Sequence, residues 1–226
     1  LAEAREKVLY VGYMKHHDAG YLNLLERVRN RKVRGELPIV VRSNCYMGDS
    51  YANPFGDFKS SNPDRMSFTT LEEMPPWLGP NLENGYENHL NVYSHVIGML
   101  SEIAGEKLEV VATLIDDVGH GITLFNAGQI PVEMSTARCS VSDWQEKIEV
   151  VFKDEILTLE MPPALLKNVP GNLTTVSGED PQNTAKYRPN WSWSFLNQAR
   201  HFISLCADDR STAGNGKQAV ENIRVV

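Results

Sequence analysis

Cysteine is scarce, with only Cys45, Cys139 and Cys206 in 226 residues, far apart from one another. No Cys-x-x-Cys pair occurs, which excludes a zinc ribbon and a paired redox centre. So odd and sparse a count fits a reducing compartment, and the expected location is cytoplasmic. Positive charge is also short. Lys and Arg number 22 against 29 Asp and Glu, a formal net charge of −7. A nucleic-acid partner is not expected, because gripping phosphates needs a concentrated basic face. The basic stretch from Arg27 to Arg34 closes a predicted helix, where cations suit the dipole. No apolar run approaches the roughly 20 residues of a membrane helix, and no signal peptide opens the chain, so no membrane partner is expected. The six histidines form neither His-Glu-x-x-His nor His-x-His, so no metal is expected. A Gly-x-Ser-x-Gly hydrolase elbow is missing as well.

What is present is ordinary globular material, 42% hydrophobic and 23% charged. The length suits one large domain, or one domain and an appendage. Residues 1–6 read as the tail of a helix feeding a strand, and both ends look cut, which points to an upstream segment. Val8 to Met14 is a short apolar run that predicts a buried strand. Asp18 is placed to cap a helix whose core stripe is Leu22, Leu24, Leu25 and Val28. Pro38 to Met47 predicts a second strand. Residues 48–82 are irregular and proline-bearing, with aromatics that suggest packing. Residues 83–104 form the strongest predicted helix, ended by Gly105. Strands then follow without intervening helices at about 107–115, 120–126, 129–139, 145–152 and 155–161. Residues 162–189 read as irregular, followed by helices at about 192–207 and from 218 onward. This order predicts an α+β fold built on an open, mainly antiparallel sheet.

Chemistry is concentrated on the long helix. Asn84, Asn88, Asn91 and His95 recur at steps of four, three and four, which places them on one face of a regular helix. Three amides and an imidazole suit hydroxyl groups. The same stripe also fits the solvated face of a surface helix.

Several segments resemble a known family. Val11-Gly-Tyr-Met-Lys-His-His-Asp-Ala-Gly-Tyr21 resembles the opening of the C-terminal domain in the Gfo/Idh/MocA family, the glucose–fructose oxidoreductase and inositol dehydrogenase group. Asn91-Val-Tyr-Ser-His95 resembles that family's Asp-x-x-x-His helix. Residues 193–202 and 216–224 resemble its two late helices.

The resemblance implies a dihydrodipicolinate-reductase-like C-terminal domain, with helices on one face of the sheet. Residues 1–6 would be the remnant of an inter-domain helix, and 7–226 a substrate-binding and oligomerisation domain. The Rossmann domain, with its Gly-rich phosphate loop and a catalytic Lys, would lie upstream. The implied activity is an NAD- or NADP-dependent dehydrogenase acting on a sugar, polyol or related hydroxy compound, inactive as this chain alone. His95 would be the catalytic acid/base. Lys15, Asn88, Asn91, His17 and Tyr13 would meet substrate, and Met14 the cofactor. A homodimer or homotetramer would form through the sheet face.

Two positions depart from the family pattern. Asn91 stands where the family has Asp, and Lys15-His16-His17 replaces Arg-Arg-aromatic. An Asn hydrogen-bonds an imidazole without stabilising its charged form. A non-catalytic binding or assembly module of the same fold is therefore the alternative.

Overall fold

The computed structural model describes residues 8–48, 74–141, 143–163, 165–178, 182–207 and 216–226. The expected helix tail at 1–6 and most of the proline-bearing stretch lie outside them.

Eight strands of the described residues form one open sheet: β1 (Val40–Gly48), β2 (Glu109–Ile115), β3 (Gly121–Ala127), β4 (Ile130–Cys139), β5 (Trp144–Val151), β6 (Glu155–Met161), β7 (Asn172–Ser177) and β8 (Thr184–Tyr187). Their order is β2-β3-β4-β1-β5-β6-β7-β8. Every pairing is antiparallel except β1 with β4, which is parallel. The fold is thus α+β with a mainly antiparallel sheet, as expected. Period-two alternation sends one side chain in two into the core. Val41 and Cys45 of β1 face in, with Val132 and Met134 of β4, Ile148 and Val150 of β5, and Leu157 and Leu159 of β6. The edge strands β2 and β8 bury nothing in this way.

Among the described residues, five α-helices accompany the sheet: α1 (Ala19–Val33), α2 (Glu83–Asn88), α3 (Ser94–Ala104), α4 (Ser194–Ala207) and α5 (Gly216–Ile223). Asp18 starts α1 as expected, its carboxylate accepting from the Gly20 and Tyr21 amides at 2.8 and 3.1 Å. The same carboxylate accepts from the Gly171 amide at 3.0 Å, which fastens the helix start to the segment before β7. A cap of this kind is worth about 0.5–2 kcal/mol. Gly105 closes α3 in the left-handed region at φ 66, where a Cβ is disfavoured.

Three expectations need correction. Residues 8–13 pair with no strand of the described residues. The Met14 amide donates to the Gly12 carbonyl across Tyr13, whose φ of −79 and ψ of 72 make an inverse γ-turn. That turn ends extension just before a 3₁₀ helix at Met14–His17. Leu22 is 48% exposed, because the buried stripe of α1 is Tyr21, Leu24, Leu25 and Val28. Leu22 lies about 100° around the helix from Tyr21. The stretch 162–189 is not wholly irregular: it holds β7 and β8, polar strands in which only Leu173 and Thr175 are buried.

Candidate functional site

The helix expected over 83–104 runs as α2, a π-helical stretch at His89–Tyr93, and α3. The Ser94 amide donates to the His89 carbonyl, five residues back. A π turn inserts one residue, which rotates everything after it by about 100°. The four-residue stripe is therefore split. Asn84 and Asn88 face a groove shared with Glu87, Val118, His120 and Arg138. The Asn88 amide donates to the Val118 carbonyl at 3.1 Å. Asn91 is exposed on the π turn. His95 lies on the first turn of α3 and faces Tyr13, its ring 5.1 Å away and edge-on at 76°. π turns of this kind occur often at functional sites.

The surroundings of His95 are built by the segment entering the 3₁₀ helix and by β5. Tyr13 is buried, and its phenol is held above the ordinary tyrosine range by desolvation. Lys15 is 3% exposed and bonds Glu146 at 2.5 Å. The same Glu146 oxygen accepts from the Trp144 indole at 3.0 Å, and Lys15 lies 4.9 Å from the centre of that ring. Desolvation first, then the positive fields of Lys15 and His16, push the His95 imidazole down to about 3. His95 is therefore neutral at pH 7, with a lone pair free to take a proton. Its Nδ1 is buried and has no hydrogen-bond partner among the described residues, and neither has Glu146 Oε1.

The two neighbouring histidines diverge. His16 turns to α3, with Nδ1 3.1 Å from Glu102. His17 turns to α4, meeting the Tyr10 hydroxyl at 2.5 Å and the His201 ring at 5.1 Å. Burial first, with His201 and His16 adding, pushes His17 down to about 4. His17 is therefore grouped with Tyr10 and His201 rather than with His95. Met14 is half-buried at the start of the 3₁₀ helix. The structure thus brings Tyr13 against His95, turns Lys15 to Glu146, and sets Asn84, Asn88 and His17 apart.

Glu146 and Trp144 are site residues that the sequence reading passed over. A signal was there: continuing the inward alternation of Ile148 and Val150 back by two and four residues reaches both. A carboxylate at an inward position is seldom left without a partner. Among the described residues, no group of three or more His, Cys, Asp or Glu side chains is arranged to hold a metal. No described helix is long and apolar enough to cross a membrane.

No protein-family model matches this sequence, and no curated protein sequence does. Solved structures do match in fold. A dehydrogenase (MviM) from Clostridium difficile aligns over 99% of this chain and 62% of its own, at 14% identity and a TM-score of 0.63. KijD10, a 3-ketoreductase from Actinomadura kijaniata crystallised with TDP-benzene and NADP, aligns over 99% and 60%, at 11% identity and a TM-score of 0.66. UDP-N-acetylglucosamine 3-dehydrogenase GnnA from Acidithiobacillus ferrooxidans aligns over 99% and 60%, at 11% identity and a TM-score of 0.60. The chain spans about three fifths of the length of these proteins. At such identity the likeness is one of fold: an α+β open sheet of the kind that forms the C-terminal domain of Gfo/Idh/MocA-type dehydrogenases.

Proposed function

We propose that this chain is the substrate-side domain of an NAD- or NADP-dependent dehydrogenase acting on a sugar, polyol or related hydroxy compound, with His95 as its acid/base. The observation that carries the reading is the His95 ring, edge-on to Tyr13 at 5.1 Å, with a buried Nδ1 that has no hydrogen-bond partner among the described residues. A neutral imidazole accepts the proton that a secondary hydroxyl must lose as its carbon is oxidised. Burial and the charges of Lys15 and His16 act on that ring, and Tyr13 forms a wall beside it. Asn91, exposed one turn earlier, would meet the more distant hydroxyls, and Asn88 and His17 would contact only an extended substrate. Met14 keeps its proposed place toward the cofactor by resemblance.

A nicotinamide supplies hydride acceptance, but the residues here do not fit its phosphates. No strand–Gly-x-Gly-x-x-Gly–helix unit occurs in the sequence. On this reading the dinucleotide is held by another part of the polypeptide, and the proton side of the reaction falls to this chain. The compartment that suits free cysteines and a nicotinamide pool is the cytoplasm. The test is nicotinamide fluorescence titration of this chain alone, beside the same chain joined to its nucleotide-binding domain. The joined protein is expected to bind NAD(P)H at micromolar concentration and to exchange hydride with a sugar or polyol, while the chain alone does neither. Saturable micromolar binding by the chain alone would refute the assignment.

Self-association through the outer sheet face belongs to the same proposal. The middle of that face carries Arg42, which lies 3.8 Å from Glu133 and 3.9 Å from Glu149. Ile122 and Leu124 flank it on one side, and Ile156 and Val176 on the other, all between 38 and 43% exposed. Exposed apolar side chains on this face suit a homodimeric interface. Sedimentation at about ten times an expected micromolar Kd should give a dimer or tetramer, and a monomer would count against it.

A further inference from the structure

We infer a second ligand site, for a small neutral alcohol or phenol, in the cavity between α2 and the strands β2 and β3. The cavity measures about 580 Å³, within the range of small-molecule pockets. His95 is not among its described walls, so the site is separate from the proposed acid/base.

Its inner wall carries one imidazole. His89 is 7% exposed and opens the π-helical stretch. Its Nδ1 lies 2.9 Å from the Gly85 carbonyl oxygen. A carbonyl only accepts, so Nδ1 carries a proton. Burial pushes the imidazole below the ordinary histidine range and outweighs that hydrogen bond, so the ring is neutral at pH 7. Nε2 therefore presents a lone pair. It has no hydrogen-bond partner among the described residues, and unlike the His95 Nδ1 it is not sealed in. An acceptor so placed calls for a donor.

The setting is built around this ring. A Cβ on Gly119 would stand 2.9 Å from His89 Cε1, and one on Gly85 would stand 3.0 Å from the Asp117 carbonyl oxygen. The two glycines thus let α2 and the segment before β3 close over one edge of the imidazole. Tyr93 meets the ring edge-on at 4.9 Å. The rest of the chamber is apolar, with Leu78, Leu82, Ile115 and Phe125 among its walls. Trp77 and Tyr86 stand beside them, their ring centres 6.0 Å apart and nearly perpendicular. The Thr113 and Thr123 hydroxyls satisfy each other at 2.8 Å.

Charge at the mouth excludes an anion. Glu109, Asp116 and Asp117 line it and are exposed, while Arg224 already bonds Glu221 at 2.5 Å. A cation is disfavoured in turn, because the inner walls named above hold no carboxylate to offset its desolvation. An apolar chamber with one open acceptor matches a neutral molecule whose polar group donates.

p-Cresol, titrated into the isotopically labelled chain, tests this by NMR. The His89 ring and Trp77 indole signals should shift saturably. Toluene, which lacks the donor, should bind roughly three- to tenfold more weakly, the effect of one hydrogen bond. p-Toluate and benzylamine, the anionic and cationic counterparts, should bind more weakly than p-cresol. His89→Leu should bring p-cresol down to the affinity of toluene. Thr113→Trp, on the exposed edge strand, fills the cavity and should abolish binding of both, so the test survives if His89→Leu does not fold. His95→Ala should bind p-cresol as the parent does. Any of four results would overturn the inference. They are no saturable shift up to about 10 mM, a decade above a millimolar site; equal binding of toluene and p-cresol; tighter binding of either charged probe; or parental p-cresol affinity in Thr113→Trp.

Discussion

His95→Ala in the protein joined to its nucleotide-binding domain is expected to lower turnover by about a hundred- to ten-thousand-fold, the usual cost of removing a general base. Cofactor affinity should change little, because the phosphates are held elsewhere. The pH profile carries a second signature. Protonation of His95 silences it as a base, and its imidazole is pushed down to about 3 by burial and by Lys15 and His16. The acid limb assigned to His95 should therefore lie well below the ordinary histidine range near 6.5. Asn91→Asp supplies a carboxylate one turn before the ring, which stabilises imidazolium and moves that limb upward. The π turn limits the size of this shift, because Asn91 points to solvent. Near-parental turnover in His95→Ala with the true substrate would leave the domain as a binding or assembly module.

The second large effect is on stability. Replacing Glu146 by Leu should destabilise the chain by about 3–5 kcal/mol, because it leaves the Lys15 ammonium buried without its counter-charge. The side chains of Lys15 and Glu146 are 4% and 1% exposed, so water cannot take over. The Trp144 indole also loses its acceptor. The double variant Lys15→Met/Glu146→Leu should recover most of the loss, since apolar replacements of a buried pair are often neutral. Denaturant midpoints of the two variants decide it. A loss below about 1 kcal/mol for Glu146→Leu would mean that the pair behaves like an exposed ion pair.

Much of the fold is legible in the sequence because local signals and tertiary packing agree. Asp18 caps α1, Gly105 ends α3, and the strands from β2 to β6 fall within about two residues of their expected bounds. Where readings failed, a non-local term won. Residues 8–13 have the apolar content of a strand, but the turn at Tyr13 withdraws them from the sheet. Strands β7 and β8 carry too few apolar residues to announce themselves and exist by pairing onto β6.

At the site, residue types were legible and phase was not. Asn84 and His95 share a face only if the helix keeps 3.6 residues per turn, and nothing in composition marks the extra residue at His89–Tyr93. Lys15, a substrate contact by the family resemblance, also meets Glu146. Its pairing with Glu146 spans 131 positions, a separation that no local pattern encodes.

The position of β1 also has a consequence in time. It is the first strand of the sheet in sequence, yet it sits between β4 and β5, with Val41 opposite Val132 on one side and Val150 on the other. Both partners leave the ribosome roughly a hundred residues after it, a wait on the order of ten seconds at ordinary synthesis rates. During that interval β1 has no strand to pair with, while α3, which packs on it, is already synthesised. The central ladder therefore closes late, by insertion of an early segment between two later ones, and chaperone dependence should concentrate in that interval.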